Sequence, residues 1–369
     1  MKQRKAIFLL ILVLLAACGA DPVAGDFKAP VLGTVRVEAE AFRARISCPV
    51  SGPLGGVSHC GFRLEGSLQK EIPATIEDGK LQADVKGLAA DSEYRVEAFL
   101  TNGDEVITAE RISFRTDDGP ETVDIPDPVF RRYILANFDT NEDEVLTVPE
   151  ALAIEGFSVS TDSIYSLSGI EKMNNLRDFG AEADYDKGKL SAIDLSGCPQ
   201  LEGITLNGNA LTALDVSKLK RLKTLLVSGN PLLSIDLSQN RELEVLHLNT
   251  TRLVEMPDLT HLPLKVLAIA GVAALIDADY LRNFPELENV WVTDYPGTHI
   301  DLSCNTRLNS VQFDNNRYLE ELDLTAVFFL QRLDVRECPQ LRRVLLRKGT
   351  TVELLQKDPH TEIVYVDCL

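Results

Sequence analysis

The sequence predicts a multidomain, almost entirely β protein: an antiparallel β-sandwich followed by a β-rich solenoid bent into a horseshoe. Three observations carry this expectation. Apolar and polar residues alternate in short runs between 30 and 116, as in Thr34-Val35-Arg36-Val37-Glu38 and Phe42-Arg43-Ala44-Arg45-Ile46-Ser47-Cys48. That is the pattern of strands with one buried face. Leu201, Leu222, Leu243 and Leu264 recur at a spacing of 21, and Leu287, Leu308 and Leu330 continue at 23, 21 and 22. A fixed period of this length marks stacked units, each too small to bury its own apolar face. With 369 residues, the chain also exceeds what one ordinary core accommodates.

The first residues set the address. Lys2, Arg4 and Lys5 precede the unbroken apolar run from Ala6 to Leu14, and Leu15-Ala16-Ala17-Cys18 follows. A run this short reads as a signal peptide rather than a membrane span. Leu-Ala-Ala-Cys resembles the lipobox of bacterial lipoproteins. The resemblance implies a signal peptide over 1–17, lipidation of Cys18 and a lipidated tether over 18–29. The expected place is then the bacterial cell envelope, lipid-anchored, with the outer membrane and its surface as the leading address. Inner-membrane and periplasm-facing placements stay open. A plain secretory signal is the alternative.

The run from 30 to 116 continues with Gly61-Phe62-Arg63-Leu64-Glu65, Leu81-Gln82-Ala83-Asp84-Val85 and Arg111-Ile112-Ser113-Phe114-Arg115. Leu88 stands six residues before Tyr94. That spacing fits a tyrosine corner, in which the phenol bonds back to upstream backbone. With Cys60-Gly61-Phe62 and Phe114-Arg115-Thr116, the segment resembles an Ig-like, bacterial fibronectin type III domain, although it lacks a core tryptophan on its second strand. His59 beside Cys60 has no second ligand pair at zinc-finger spacing and reads as a loop histidine. Cys48 and Cys60 bracket a loop and form a candidate disulfide.

Residues 117–126 read as a linker by composition, and 127–165 as a helical cap. Within the cap, Asp139, Asn141, Asp143, Val145 and Glu150 fall at the first, third, fifth, seventh and twelfth positions of a loop. This spacing resembles an EF-hand loop, whose oxygen ligands hold Ca²⁺. The sixth position, where the loop needs a positive φ and usually carries glycine, is Glu144. Two readings stay open: a structural Ca²⁺, or an acidic turn that only keeps the shape.

From 166 to 369 the repeats take over. Leu201-x-x-Ile204-x-Leu206-x-x-Asn209-x-Leu211 and Leu222-x-x-Leu225-x-Val227-x-x-Asn230-x-Leu232 match the leucine-rich repeat signature. The asparagine slot continues as Thr251, Val272, Tyr295 and Asn316, which predicts a broken ladder and a looser coil in the middle. A second half repeats as Ile193-Asp194-Leu195-Ser196, Leu214-Asp215-Val216-Ser217, Ile235-Asp236-Leu237-Ser238, Ile300-Asp301-Leu302-Ser303 and Leu322-Asp323-Leu324-Thr325, and predicts short return strands on the convex side. Cys198, Cys304 and Cys338 follow these segments and are expected to pack as small apolar residues in one equivalent place. The unit resembles the internalin-like repeats of bacterial surface proteins. The stretch from Leu341 to Leu369 reads as the cap that closes the solenoid.

Between the buried leucines, one strand position per unit faces the concave side: Thr205, Leu226, His247, Ala268, Trp291 and Gln312. The only tryptophan in the chain stands in this line, and aromatic anchors on a rigid face are common in binding surfaces. Trp291, His247, Leu226, Thr205 and Gln312, with Asn289 and Asn249 beside them, are therefore the candidate ligand-binding residues for a protein or glycan partner.

Composition narrows the function. The formal net charge is −19, and loss of the basic leader makes the remainder more acidic, which excludes nucleic acid as a partner held by charge. The membrane enters only through the lipid. There is no nucleophile elbow, no His-Glu-x-x-His and no phosphate loop, and five histidines are scattered, so no enzyme is expected. The expected function is an extracytoplasmic ligand-binding or adhesion protein. The alternative is a structural or assembly component of the envelope.

Overall fold

Alternation along the chain becomes a two-layer sandwich in the computed structural model, which describes residues 29–184, 187–272 and 276–367. The Cys18 lipidation site and the 1–17 signal peptide lie outside the described residues. Among those residues no helix is long and apolar enough to cross a membrane. The chain divides into two compact units between Asp117 and Asp118.

In the first unit, β1 (Val31–Leu32), β2 (Arg36–Ala39), β3 (Arg43–Ser51), β6 (Thr75–Glu77) and β7 (Lys80–Lys86) form one antiparallel sheet. The second contains β4 (His59–Glu65), β5 (Lys70–Pro73), β8 (Glu93–Thr101), β9 (Val106–Thr108) and β10 (Ile112–Arg115). Ala44, Ile46 and Cys48 of β3 are buried while Arg43 and Arg45 are exposed, as period two requires. They meet Phe62, Leu64, Val96 and Ala98 of the other sheet in one core. The Tyr94 hydroxyl accepts from the Ala89 N–H at 2.8 Å, so the corner contact is made five residues upstream. Cys48 and Cys60 do not pair; both are free thiols. Their Sγ atoms donate instead to Gly33 O and Ala74 O, each at 3.2 Å.

The supposed linker is partly structural. Val123 and Ile125 are buried in the core of the second unit, and Thr122 bridges to Thr147. Their alternation carries one side of the segment inward. Gly169, at φ +104°, sits beneath it; a Cβ there would lie 2.9 Å from Ile125. Asp127 then caps α1 (Pro128–Phe138), accepting from Val129 N and Phe130 N at 2.9 and 3.0 Å. Its other oxygen accepts from Tyr165 N at 2.8 Å, which ties the helix to the first coil. Phe130 and Ile134 of α1 are fully buried. Phe130 stacks against Phe157, so the N-terminal end of the solenoid core is covered. A short helix, α2 (Val148–Leu152), closes the cap with a Thr147–Glu150 capping box.

The solenoid begins earlier than residue 166. Its first strand is β11 (Gly156–Ser160), followed by β12 (Asp178–Glu182), β13 (Gly203–Thr205), β14 (Thr224–Leu226), β15 (Val245–His247), β16 (Val266–Ala268), β17 (Asn289–Trp291) and β18 (Ser310–Gln312). On the opposite side β19 (Glu321–Asp323) appears; β20 (Arg332–Val335), β21 (Arg343–Arg347), β22 (Leu354–Lys357) and β23 (Glu362–Val366) follow. One parallel ten-stranded sheet runs β11 to β18, then β20 and β22; β19, β21 and β23 form a second sheet. Leu201, Leu222, Leu243, Leu287 and Leu308 are all fully buried, which makes the fixed residues of the repeat one continuous core.

The predicted return strands are absent in all but the last coils. At 193–196, 214–217, 235–238 and 300–303 no strand forms, and a turn begins at the serine. Asp194, Asp215 and Asp236 each accept from the backbone N–H two residues on at 2.9 Å, and Asp301 does so at 2.8 Å. Asp323 makes the same bond to Thr325 N at 2.9 Å in the coil that does form β19, so these bonds shape the turn without excluding a ladder. Bonds from the same serines, hydroxyl and N–H together, hold the four carboxyls below their usual range. Their stabilisation is therefore present above the unfolded carboxylate pKa, about 3.9, and is lost as pH falls through the lower folded values. Thermal melts between neutral and acid pH should show the midpoint dropping at the acid end. Replacing the four aspartates by asparagine, which keeps the acceptor, should flatten that drop. Identical pH slopes in parent and variant would refute it.

The asparagine slot is an internal ladder. Asn209 and Asn230 donate to Ala181 O and Leu206 O of the preceding coil at 2.7 and 2.8 Å, and Asn316 donates to Val292 O at 2.9 Å. In the middle, Thr251 turns its hydroxyl to Leu248 O in its own coil, and Val272 is simply buried. Residues 273–275 of the expected looser coil lie outside the described residues. The three cysteines are not equivalent. Cys338 occupies the asparagine slot, with Sγ donating to Phe313 O at 3.0 Å. Cys198 belongs to a second slot, donating to Ile170 O at 3.2 Å. In the corresponding slot, Asn240 and Asn305 donate to Val216 O and Leu281 O. Cys304 precedes Asn305 and is only half-buried. Burial pushes the Cys198 thiol up to about 12 and the Cys338 thiol to about 11, which suits hydrogen-bonding thiols rather than reactive thiolates.

Candidate binding surface

The register of the long sheet brings the predicted line together: Thr205, Leu226, His247, Ala268, Trp291 and Gln312 are successive partners across β13 to β18. Parallel strands in equal register stack equivalent residues about 4.8 Å apart. The line is less exposed than the pattern implies. Leu226, His247 and Trp291 are half-buried, and Ala268, between the two rings, is 2% exposed. Burial lowers the His247 pKa, so its imidazole is neutral at neutral pH.

The Ser228 Oγ is buried and completes no hydrogen bond. The Trp291 Nε1 is buried and completes no hydrogen bond of good geometry, with the Asp314 carboxylate as its neighbouring acceptor. Asp314 is near enough for the indole to favour its charged form, but burial and the charge of Asp334 outweigh this and raise its pKa. Asp334 is itself 3% exposed. It accepts from Arg336 Nε at 2.9 Å and from Nη2 at 2.7 Å. Sequence reasoning missed this forked pair because Asp334 and Arg336 fall outside the complete repeats. A buried donor whose bond is poorly made gains from a better acceptor, which marks the Trp291–Asp314 neighbourhood as the weakly satisfied part of the face.

The two asparagines divide. Asn289 is half-buried in the adjacent column, level with Val266 and Ser310. Asn249 is 8% exposed and its Oδ1 accepts from Ala270 N at 2.7 Å. Asn249 thus bridges two coils through its Oδ1. Further toward the N-terminus the face is floored by Gly156, Gly180 and Gly203, leaving an open groove of about 570 Å³ that Thr205, Asp178 and Glu182 also line. Along the flank, Glu202 pairs with Arg221 and Lys223, and Glu244 with Lys265; exposed pairs of this kind add little stability.

The acidic loop keeps its shape through its own side chains. Asp139 accepts from Asp143 N and Glu144 N at 3.2 and 2.8 Å, and Asp143 accepts from Val145 N at 2.9 Å. Glu144 adopts the positive φ, +68°, that the sixth position demands. Asp143 is 3% exposed; burial first, then the charges of Asp139 and Glu150, raise its pKa. The carboxylate oxygens of Asp139 and Asp143 each accept one of these bonds or one from Asn141 and keep a second lone pair, so these donors suit a hard cation in kind. Glu150 is turned elsewhere: Oε1 accepts from Thr140 and Oε2 from Thr147. Among the described residues no three His, Cys, Asp or Glu side chains converge as a metal site.

No family model matches the sequence, and no curated protein matches it. Among solved structures the chain is similar to the functional domain of InlJ from Listeria monocytogenes, which includes a cysteine ladder. That match has 24% identity over 60% of this chain and 50% of that one, with a TM-score of 0.49. It is also similar to internalin C2 of the same species, at 16% identity over 60% of this chain and 93% of that one, TM-score 0.38. An internalin, InlF, from Listeria monocytogenes matches at 17% identity over 68% of this chain and 94% of that one, TM-score 0.37. The match thus spans half the length of that functional-domain chain. Its own strand register and buried leucines establish the leucine-rich solenoid.

Proposed function

We propose that the protein is a non-enzymatic binding protein that presents the concave face of its repeats to a partner protein. The observation that carries this reading is the half-buried line through Leu226, His247 and Trp291, stacked in register along the long sheet. A glycan is the competing ligand. The Cys18 lipid would hold the chain to the envelope, and the sandwich, in this reading a fibronectin type III-like module, would serve as spacer. The test is capture from envelope and host protein fractions, alongside a glycan array, with parent and Trp291→Ala. Capture by the parent and loss in the variant supports the reading; equal capture by both moves the site off this face.

The loop is proposed to take a structural Ca²⁺ through Asp139, Asn141, Asp143, the Val145 carbonyl and, once it leaves Thr140 and Thr147, Glu150. Bound Ca²⁺ would neutralise the crowded carboxylates. Millimolar Ca²⁺ should raise the melting temperature of the parent and leave Glu150→Gln unmoved. No shift in the parent ends the metal reading.

A further inference from the structure

Two peptide bonds among the described residues join an aspartate to a proline, and the fold treats them differently. At Asp127–Pro128 both carboxylate oxygens are occupied. Oδ1 accepts from Val129 N and Phe130 N, and Oδ2 from Tyr165 N and Ser166 N. The Asp127 carbonyl takes an ordinary helical bond from Arg131 N at 2.8 Å. At Asp358–Pro359, in the turn between β22 and β23, only one carboxylate oxygen is held. Oδ2 accepts from Cys338 N at 2.9 Å, and Oδ1 accepts no hydrogen bond among the described residues. The main-chain carbonyl of Asp358 accepts twice, from Thr361 N at 3.2 Å and from the Lys357 ammonium at 3.3 Å. That ammonium is fixed by a further bond to Thr361 O at 2.8 Å. The His360 ring is anchored as well, its Nε2 3.2 Å from Cys338 O. Cys338 is fully buried. One immobile residue therefore holds the side chains on both sides of Pro359, while Pro359 and His360 are open to water.

We propose that Asp358–Pro359 is a self-cleavage site, at which each chain reacts once on itself. The free Oδ1 of the Asp358 carboxylate attacks the carbonyl carbon of its own residue, and a cyclic anhydride forms. Nucleophile and target belong to one residue, so no other group has to be brought in. The carbonyl oxygen takes up negative charge between the Lys357 ammonium and the Thr361 N–H, two donors already in place. When the carbonyl re-forms, its bond to the Pro359 nitrogen breaks, and that nitrogen takes a proton from the His360 imidazolium. Proline suits the leaving role because its nitrogen, once freed, is a secondary amine of high basicity. Water then opens the anhydride. One fragment ends in Asp358 with both carboxyls restored, and the other begins with Pro359. Asp127, with four N–H donors on its carboxylate and no cation on its carbonyl, should not react.

The experiment is mass spectrometry of the full chain, incubated folded in mildly acidic buffer and, in parallel, unfolded in guanidinium chloride. β23 pairs with β21, so the samples are denatured before reading to release the smaller fragment. The folded chain should break at Asp358–Pro359 at least about tenfold faster than the unfolded one, and should stay whole at Asp127–Pro128. Hydroxylamine added during incubation should leave a hydroxamate on Asp358, the mark of the anhydride. Asp358→Asn, which keeps an acceptor for Cys338 N, should abolish the cut. Lys357→Met and His360→Gln should each slow it about a hundredfold, and melting temperatures report that each variant folds. A chain that stays intact overturns the proposal. A cut no faster in the folded chain than in the unfolded one, or one that Lys357→Met and His360→Gln leave unchanged, is the ordinary lability of an Asp–Pro bond and overturns it equally.

Discussion

Asn230→Ala is expected to destabilise the repeat unit by about 3 kcal/mol, among the largest losses any single polar residue here would give. Asn230 is fully buried. Its Nδ2 donates to Leu206 O at 2.8 Å and Val227 O at 3.0 Å, and its Oδ1 accepts from Leu211 N at 3.1 Å. Truncation strands Val227 O and Leu211 N in the core, each costing about 1–3 kcal/mol when unpaired, while Leu206 O keeps its bond from Asn209 Nδ2 at 2.9 Å. Neighbouring coils share the loss, because each unit is held by the next. Asn230→Cys should cost less, since Cys338 makes the equivalent donation in the same slot. Urea unfolding of the three proteins measures the order. A loss under about 1 kcal/mol for alanine would mean the ladder is dispensable.

Trp291→Ala should weaken partner binding about thirtyfold, the loss expected when a central aromatic anchor costing about 2 kcal/mol is removed. It should also cost about 1 kcal/mol of stability, less than a fully buried side chain contributes, because the indole helps to cover Ala268. Trp291→Phe separates the two effects. It keeps most of the apolar cover and removes only the indole N–H, which completes no hydrogen bond of good geometry in the free protein. Near-parental unfolding with weakened capture would assign the N–H to the ligand. Parental capture by both variants would show that Trp291 merely packs the face.

Much of the architecture was legible because it depends on period. The spacing of Leu201, Leu222 and Leu243 dictates stacking, and the residue between two inward leucines must face the other way, so Thr205, Leu226, His247, Trp291 and Gln312 had to fall in line. The return segments misled because Ile-Asp-Leu-Ser alternates like a strand, while the chain turns at the serine, whose N–H the aspartate holds, and no ladder forms there. The bridge from Asn249 to Ala270 N was likewise invisible in the pattern. Cys338 was grouped with Cys198 by the segment it follows, although counting from Leu330 places it in the asparagine slot.

The order of the domains, the period of the coils and the inward or outward facing of each strand residue follow from sequence alone. They need only local alternation and the requirement that leucine leave water. Which polar groups are spent on the fold, which stay unpaired and which core slots remain open depend on distances between residues far apart in the chain. Leu333 and Leu355 illustrate the difference. Both stand in inward strand positions of successive coils, yet one is fully buried and the other 40% exposed, because burial requires a neighbour on both sides and, among the described residues, the coil of Leu355 has one.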